Sequence, residues 1–214
     1  MALDSYSALQ TAILLWLARP GDALLQPSVP DMIRLFEAEA NRRLQTIGTE
    51  RQETVYPFGG ICELPADFAR LRRASLDDGR PLEYVPPSSS WPGAGGRYFT
   101  IVGGAGDGSC STGGGATLEL MPSSSWGDMP VVITYRRGLP PLSDSAPTNW
   151  LLAEHPDAYL FGSLVEAEAF IGADERALAW GQRREMAFNS IEAHDQRRRW
   201  PGAPLQMRTG VATP

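Results

Sequence analysis

The chain changes hydrophobic period twice. Apolar residues first recur at Leu9, Ile13, Trp16 and Leu17, the i, i+4, i+7, i+8 spacing of one helix face. Asp4, Ser5 or Ser7 offers a side-chain oxygen to cap that helix, and Pro20-Gly21 ends it. A second stripe, Ile33, Phe36, Ala40, Leu44 and Ile47, predicts a helix opened by Pro30, with Asp31 and Glu37 toward its positive end and Gly48 closing it. The Pro-rich connection between the two predicts an antiparallel helical hairpin.

From Thr54 the period falls to two. Short β-branched and aromatic runs at 54–58, 61–64, 71–76, 82–85, 98–102, 117–121 and 131–136 are each bounded by Gly, Pro, Ser or Asp, which predicts a small antiparallel β unit. Asp77-Asp78-Gly79 is its clearest hairpin signal, because Gly79 can take the positive φ of a tight turn. The run 103–115, GGAGDGSCSTGGG, has almost nothing to bury and reads as a mobile hairpin tip or insertion.

Helical spacing then returns. Trp150, Leu151 and Leu152 precede His155-Pro156, after which Tyr159, Leu160, Leu164, Ala167, Phe170 and Ile171 form a stripe ended by Gly172. Asp174 caps a last helix whose apolar side is Ala177, Leu178, Trp180, Phe188 and Ile191, running out near Arg197-Arg198-Arg199. The segment 200–214 carries three Pro and two Gly after Trp200, too little apolar mass to fold alone. Neither helix pair can bury its stripe unaided. The expected fold is therefore α+β, a four-helix bundle made by residues 1–50 and 141–199, with an antiparallel β domain at 51–140 inserted and an extended tail at 200–214.

Composition narrows the function. With 214 residues, 43% apolar and 21% charged, the chain is globular in type, and 22 Gly and 18 Pro imply long connections. All 19 basic residues are Arg, planar forks suited to carboxylate or phosphate. The net charge of −6 argues against a protein that grips nucleic acid over its whole surface. Cys62 and Cys110 are too few and too far apart for a disulfide scaffold, so free thiols in a reducing compartment are expected. The apolar run 12–18 is too short for a membrane span and lacks the features of a leader.

No catalytic, cofactor or metal site emerges. The glycine-rich run lacks the strand-to-helix setting of a dinucleotide loop and the lysine of a phosphate loop. His155 and His194 have no partner set for a triad or zinc site. Glu166 and Glu168, two apart on a helix, do not face each other and read as an acidic face; Asp67 sits in a turn with Phe68 as anchor. Arg183, Arg184, Arg197, Arg198 and Arg199 leave two readings open, a solvated helix end that complements its dipole or a surface for an acidic partner. Leu205, Met207 and Arg208 beyond Trp200 look like sparse anchors on a strap and favour the partner. Trp16 and Trp150 fit a core, whereas Trp91 and Trp126 read as loop aromatics suited to an interface.

Several phrases in their joint order resemble the bacteriophage head-tail adaptor, or connector, family of short-tailed and related phages: ALDSYSALQTAILLWLAR, VPDMIRLFEAEANRRL, ELPADFARLRRASLDDGRPLEYV, RYFTIVGG, LSDSAPTNWLLAEHPDAYLFGSLVEAEAF and RRRWPGAPLQMR. The resemblance implies a structural, non-enzymatic ring at the head-tail junction of the virion, commonly twelve copies, assembled in the host cytoplasm. Such a ring sits beneath the portal protein, receives a tail or nozzle protein, and extends the channel through which double-stranded DNA passes. It further implies a portal strap, here Arg197, Arg198, Arg199, Trp200, Leu205, Met207 and Arg208. An acidic lumen would let DNA slide where an arginine lining would hold it. The rival expectations are a carbohydrate- or cell-surface-binding tail protein that reads through its β unit, and an Arg-rich nucleic-acid-binding module.

Overall fold

The computed structural model describes residues 3–87, 96–103, 115–121 and 129–199. Trp91, Trp126, Trp200, Leu205, Met207 and Arg208 lie outside the described residues, as does most of the glycine-rich run. The chain divides into a helical unit, Met1–Ile47 with Pro141–Pro214, and a β unit, Gly48–Pro140.

In the helical unit α1 (Tyr6–Trp16) is capped by Ser5, whose Oγ accepts the Ala8 N–H at 3.4 Å. It stops before Pro20, because Ala18 turns left-handed at φ 56°. α2 (Val29–Arg43) has Pro30 in its first turn. It ends earlier than the Leu44 and Ile47 stripe predicts, and the reason is tertiary. The Gln45 carbonyl accepts from Arg199 and the Ile47 N–H donates to Asp195, so α5 satisfies backbone groups that further helix would have used. Leu44 leaves the helix with extended backbone and is still buried.

α3 (Trp150–Glu154) is a helix in its own right, opened by Asn149, whose Oδ1 accepts the Leu152 N–H at 3.0 Å. α4 (Pro156–Ile171) closes at Gly172, whose φ of +79° supplies the left-handed cap. α5 (Asp174–Arg199) follows. The described α-helices thus number five, α3 being additional to the four expected.

α4 is the hub and packs against α1, α2, α3 and α5. Small residues make that possible: Ala158, Gly162, Ser163 and Ala167 are all buried. Phe36 of α2 lies on Gly162, meets Tyr159 edge-on at 5.0 Å and stacks on Phe188 of α5 at 6.0 Å. Burying one such ring contributes roughly 1.5–3 kcal/mol, so three helices share a single anchor.

The β unit holds two sheets. β1 (Glu50–Val55), β3 (Phe68–Leu76) and β7 (Val131–Arg137) form an antiparallel sheet with β7 central. β2 (Ile61–Glu63), β4 (Glu83–Tyr84), β5 (Tyr98–Val102) and β6 (Thr117–Met121) form the other, in the order β2-β6-β5-β4. Alternate residues of both enter one core, including Val55, Leu76, Ile133 and Tyr135 from the first and Cys62, Phe99, Leu118 and Leu120 from the second. Burial pushes the Cys62 thiol up to about 11.

Gly79, at φ +83°, makes the expected turn, with the Gly79 N–H donating to Leu76 and the Leu76 N–H to Arg80. The returning arm then pairs with β3 only through Pro81 and Leu82, because Pro81 has no N–H to continue a ladder. The chain crosses to the other sheet, where β4 runs parallel to β5, the one departure from the antiparallel expectation among the described strands.

Candidate functional site

Among the described residues no group of three or more His, Cys, Asp or Glu side chains is placed to hold a metal ion. No helix of the described residues is long and apolar enough to cross a membrane.

The C-terminal end of α5 is fixed to the start of the chain's exit from α2. Asp195 Oδ1 accepts the Ile47 N–H at 2.6 Å and its Oδ2 accepts Arg199 Nε at 2.6 Å, while Arg199 Nη2 donates to the Gln45 carbonyl at 2.6 Å. Of the three terminal arginines expected on a portal strap, Arg199 is therefore held by its own chain. Arg197 and Arg198 are exposed, with Arg197 Nε on the Ala193 carbonyl one turn back. The other residues expected on the strap, Trp200, Leu205, Met207 and Arg208, lie outside the described residues.

Arg184 is half-buried and Arg183 exposed, and both engage groups of their own chain. Arg184 Nη1 pairs with Glu39 of α2 at 2.8 Å, and the Arg183 guanidinium lies over the rings of Phe161 and Trp180. Arg43 of α2 reaches back to Glu185 at 2.6 Å and Glu192 at 3.2 Å, over the Phe188 ring. The hydrogen bond from Arg43 holds the Glu185 carboxyl below its ordinary range. This ladder of guanidiniums and carboxylates ties α2 to α5.

Glu168 does not belong to an acidic face: it is 1% exposed and bonds to Arg176 at 3.0 Å. The Trp180 indole N–H lies 3.4 Å from the same oxygen. Arg176 and Trp180 follow on α5 and bend back over α4, which is why the carboxylate turns inward. Glu37, expected only as a charge near a helix start, is likewise buried at 4% exposure. Its Oε1 accepts the Leu142 N–H at 2.8 Å and the Tyr159 hydroxyl at 3.0 Å, and Asn149 Nδ2 donates to that hydroxyl at 2.6 Å. Burial raises the Glu37 carboxyl above its ordinary range despite those donors, and pushes the Tyr159 phenol up as well. Asp67, a turn residue in the sequence, accepts the Tyr135 hydroxyl at 2.8 Å beneath the β1-β7-β3 sheet. His155 and His194 stay outside every such network, half-buried and exposed respectively.

Several large apolar side chains are exposed where sequence patterning expects burial or gives no signal. On α5, Leu178 and Met186 are 71% and 72% exposed. With Val165, Ala177 and Gly181 they line an open cavity of about 850 Å³ between α4 and α5. Leu178 was expected on the buried side, yet the residues that reach the core are Ala187, Phe188, Ile191 and Asp195. Phe170, also placed in the buried stripe, is exposed, and Trp16 is half-exposed at the rim of an aromatic cluster with Phe161 and Trp180. In the β unit, Gly59 and Gly60 at positive φ make a two-residue turn closed by mutual hydrogen bonds of Phe58 and Ile61. That turn holds Phe58, 86% exposed, at a fixed tip beside Tyr56, 74% exposed. A glycine pair between two apolar runs was the sequence signal for it.

A protein-family model described as SU10 adaptor protein matches residues 4–208. No curated protein matches the chain. The match spans nearly the whole sequence, and the chain belongs to the SU10 adaptor protein family, a family of phage adaptor proteins.

Proposed function

We propose that this member of the family is a head-tail adaptor subunit that forms a ring, with twelve copies the expected number, and docks on the portal protein through residues 200–214. The ring extends the DNA channel and presents the surface on which a tail or nozzle protein is received. In this reading α1, α2, α4 and α5 act as a four-helix bundle, and Trp91 and Trp126 lie at subunit or tail interfaces. The family match through residue 208 carries it, since it takes in the helical unit, the β unit and most of the segment after α5. The layout at its root supports the strap: Asp195, Arg199 and the Gln45 carbonyl fix the last turn of α5, the point from which residues 200–214 continue.

The arginines of α5 bear on the rival that they grip nucleic acid. Arg183, Arg184 and Arg199 already engage rings, Glu39, Asp195 and a backbone carbonyl, which leaves fewer charges free to release counterions. DNA passing through a lumen lined by acidic residues meets repulsion and slides.

The test is a chain truncated after Arg199, mixed with the portal protein of its own virion. Loss of co-sedimentation with unchanged helix content supports the strap, whereas undiminished binding removes it.

A further inference from the structure

A second recognition surface lies in the β unit, along β3. β3 is the outer strand of its sheet, and among the described residues no strand pairs with its far side between Phe68 and Arg73. That side borders an open cavity of about 730 Å³ whose floor is apolar, formed by Phe68, Leu71, Leu82, Phe99 and Ile101, with Tyr84 standing on Phe99 at 5.6 Å.

The wall is positive. Register shifts between Phe68 and Arg70 and between Leu71 and Arg73 break the strand's alternation, so that Arg70, Arg72 and Arg73 are all exposed. Arg72 is paired with Glu50 at 2.9 Å. Arg70 and Arg73 have no acidic partner among the described residues. The local charge is sensed by Arg136, whose guanidinium is pushed down by burial first and then by Arg70 and Arg72.

We propose that this groove holds an extended segment of another protein in which acidic residues alternate with apolar ones. An extended chain presents successive side chains to opposite sides. Its apolar set can then settle on Leu71, Phe99 and Ile101 while its carboxylates meet Arg70 and Arg73, and the unpaired edge of β3 offers backbone donors and acceptors. The six residues from Phe68 to Arg73 span about 20 Å, room for a segment of similar length. Arginines and bulges at an edge also keep two copies of the same edge apart, which favours a partner of opposite charge. Residues 200–214 do not complement the groove, since they contain Arg208 and no acidic residue. The groove belongs to the β unit, so the inference stands or falls separately from the portal strap.

The experiment uses the full chain without portal protein and titrates it with fluorescent peptides of about nine residues. One alternates Glu with Val, a second alternates Lys with Val, and a third alternates Glu with Gly; a short DNA duplex is the fourth probe. Binding of the Glu-Val peptide alone, weakened at least about tenfold by Arg70→Glu with Arg73→Glu and by Tyr84→Ala, is the expected result. Both variants are at exposed positions, and circular dichroism checks that they fold. Equal binding of the Glu-Val peptide by the charge variant overturns the proposal, as does equal binding of the Glu-Gly peptide. A duplex that binds and displaces the peptide assigns the groove to nucleic acid instead, and no binding of any probe removes it.

Discussion

Gly162 of α4 lies directly under the ring of Phe36, so close that a Cβ there would overlap the ring's edge. Gly162→Ala gains helix propensity of about 1 kcal/mol but must displace a ring packed between Tyr159 and Phe188. Overpacking costs roughly 1–3 kcal/mol, and the ring has nowhere to go. The variant is expected to unfold at lower urea than the parent, and a gain in stability would show that α2 yields at this point.

Glu37 is a buried carboxyl whose folded pKa stands above its ordinary 4.5. A raised carboxyl pKa means the folded state binds the proton more tightly, so its stabilising contribution is complete below about 4.5 and is lost as pH rises through the folded value. Glu37→Gln keeps an acceptor for Leu142 and Tyr159 without the charge. Urea unfolding should therefore show the parent losing stability relative to Glu37→Gln as the pH rises above about 4.5 and through the folded value. Glu37→Ala leaves two buried donors without an acceptor and should cost about 2–4 kcal/mol. A parent and Gln variant with parallel pH profiles would remove the assignment.

Asp195 joins the Ile47 N–H to Arg199. Replacing it by Ala orphans a backbone donor and frees the last turn of α5, at a cost of about 1–3 kcal/mol. Trypsin should then cut at Arg197 to Arg199 faster than in the parent, at concentrations where the rest of the chain is intact. Unchanged cleavage would mean that other contacts hold the turn.

Phe58 is exposed on a turn fixed by two glycines, so it contributes little to its own fold. Phe58→Ser is expected to leave stability within about 0.5 kcal/mol and to lower incorporation into assembled particles. Incorporation equal to the parent's would mark the tip as free of contacts.

The parts of the fold set by local chemistry were legible. The helix start at Pro156, the left-handed stop at Gly172 and the turn at Gly79 each follow from one residue's backbone preference, and the cap at Ser5 is one of the three that Asp4, Ser5 and Ser7 offer. What escaped is decided at a distance. Leu44 and Ile47 continue α2's stripe, yet α5 takes the backbone beyond Leu44. Leu178 and Phe170 have core chemistry in surface positions, a difference periodicity cannot see when a helix carries apolar residues on more than one face. The burial of Glu37 and Glu168 depended on Tyr159 and Arg176, partners that spacing alone does not assign to them. The groove on β3 rests on two bulges, which alternation in the sequence conceals.

The helical unit is discontinuous in the chain, with Glu37 and Tyr159 separated by 122 residues. At translation rates of roughly 5–20 residues per second, α2 leaves the ribosome roughly 6–24 seconds before the helix that covers it. Throughout that interval the β unit emerges whole and can close its sandwich, while the greasy side of α2 waits for a mate. Newborn chains should thus be vulnerable to holding factors and clumping at one stage, just before α4 arrives.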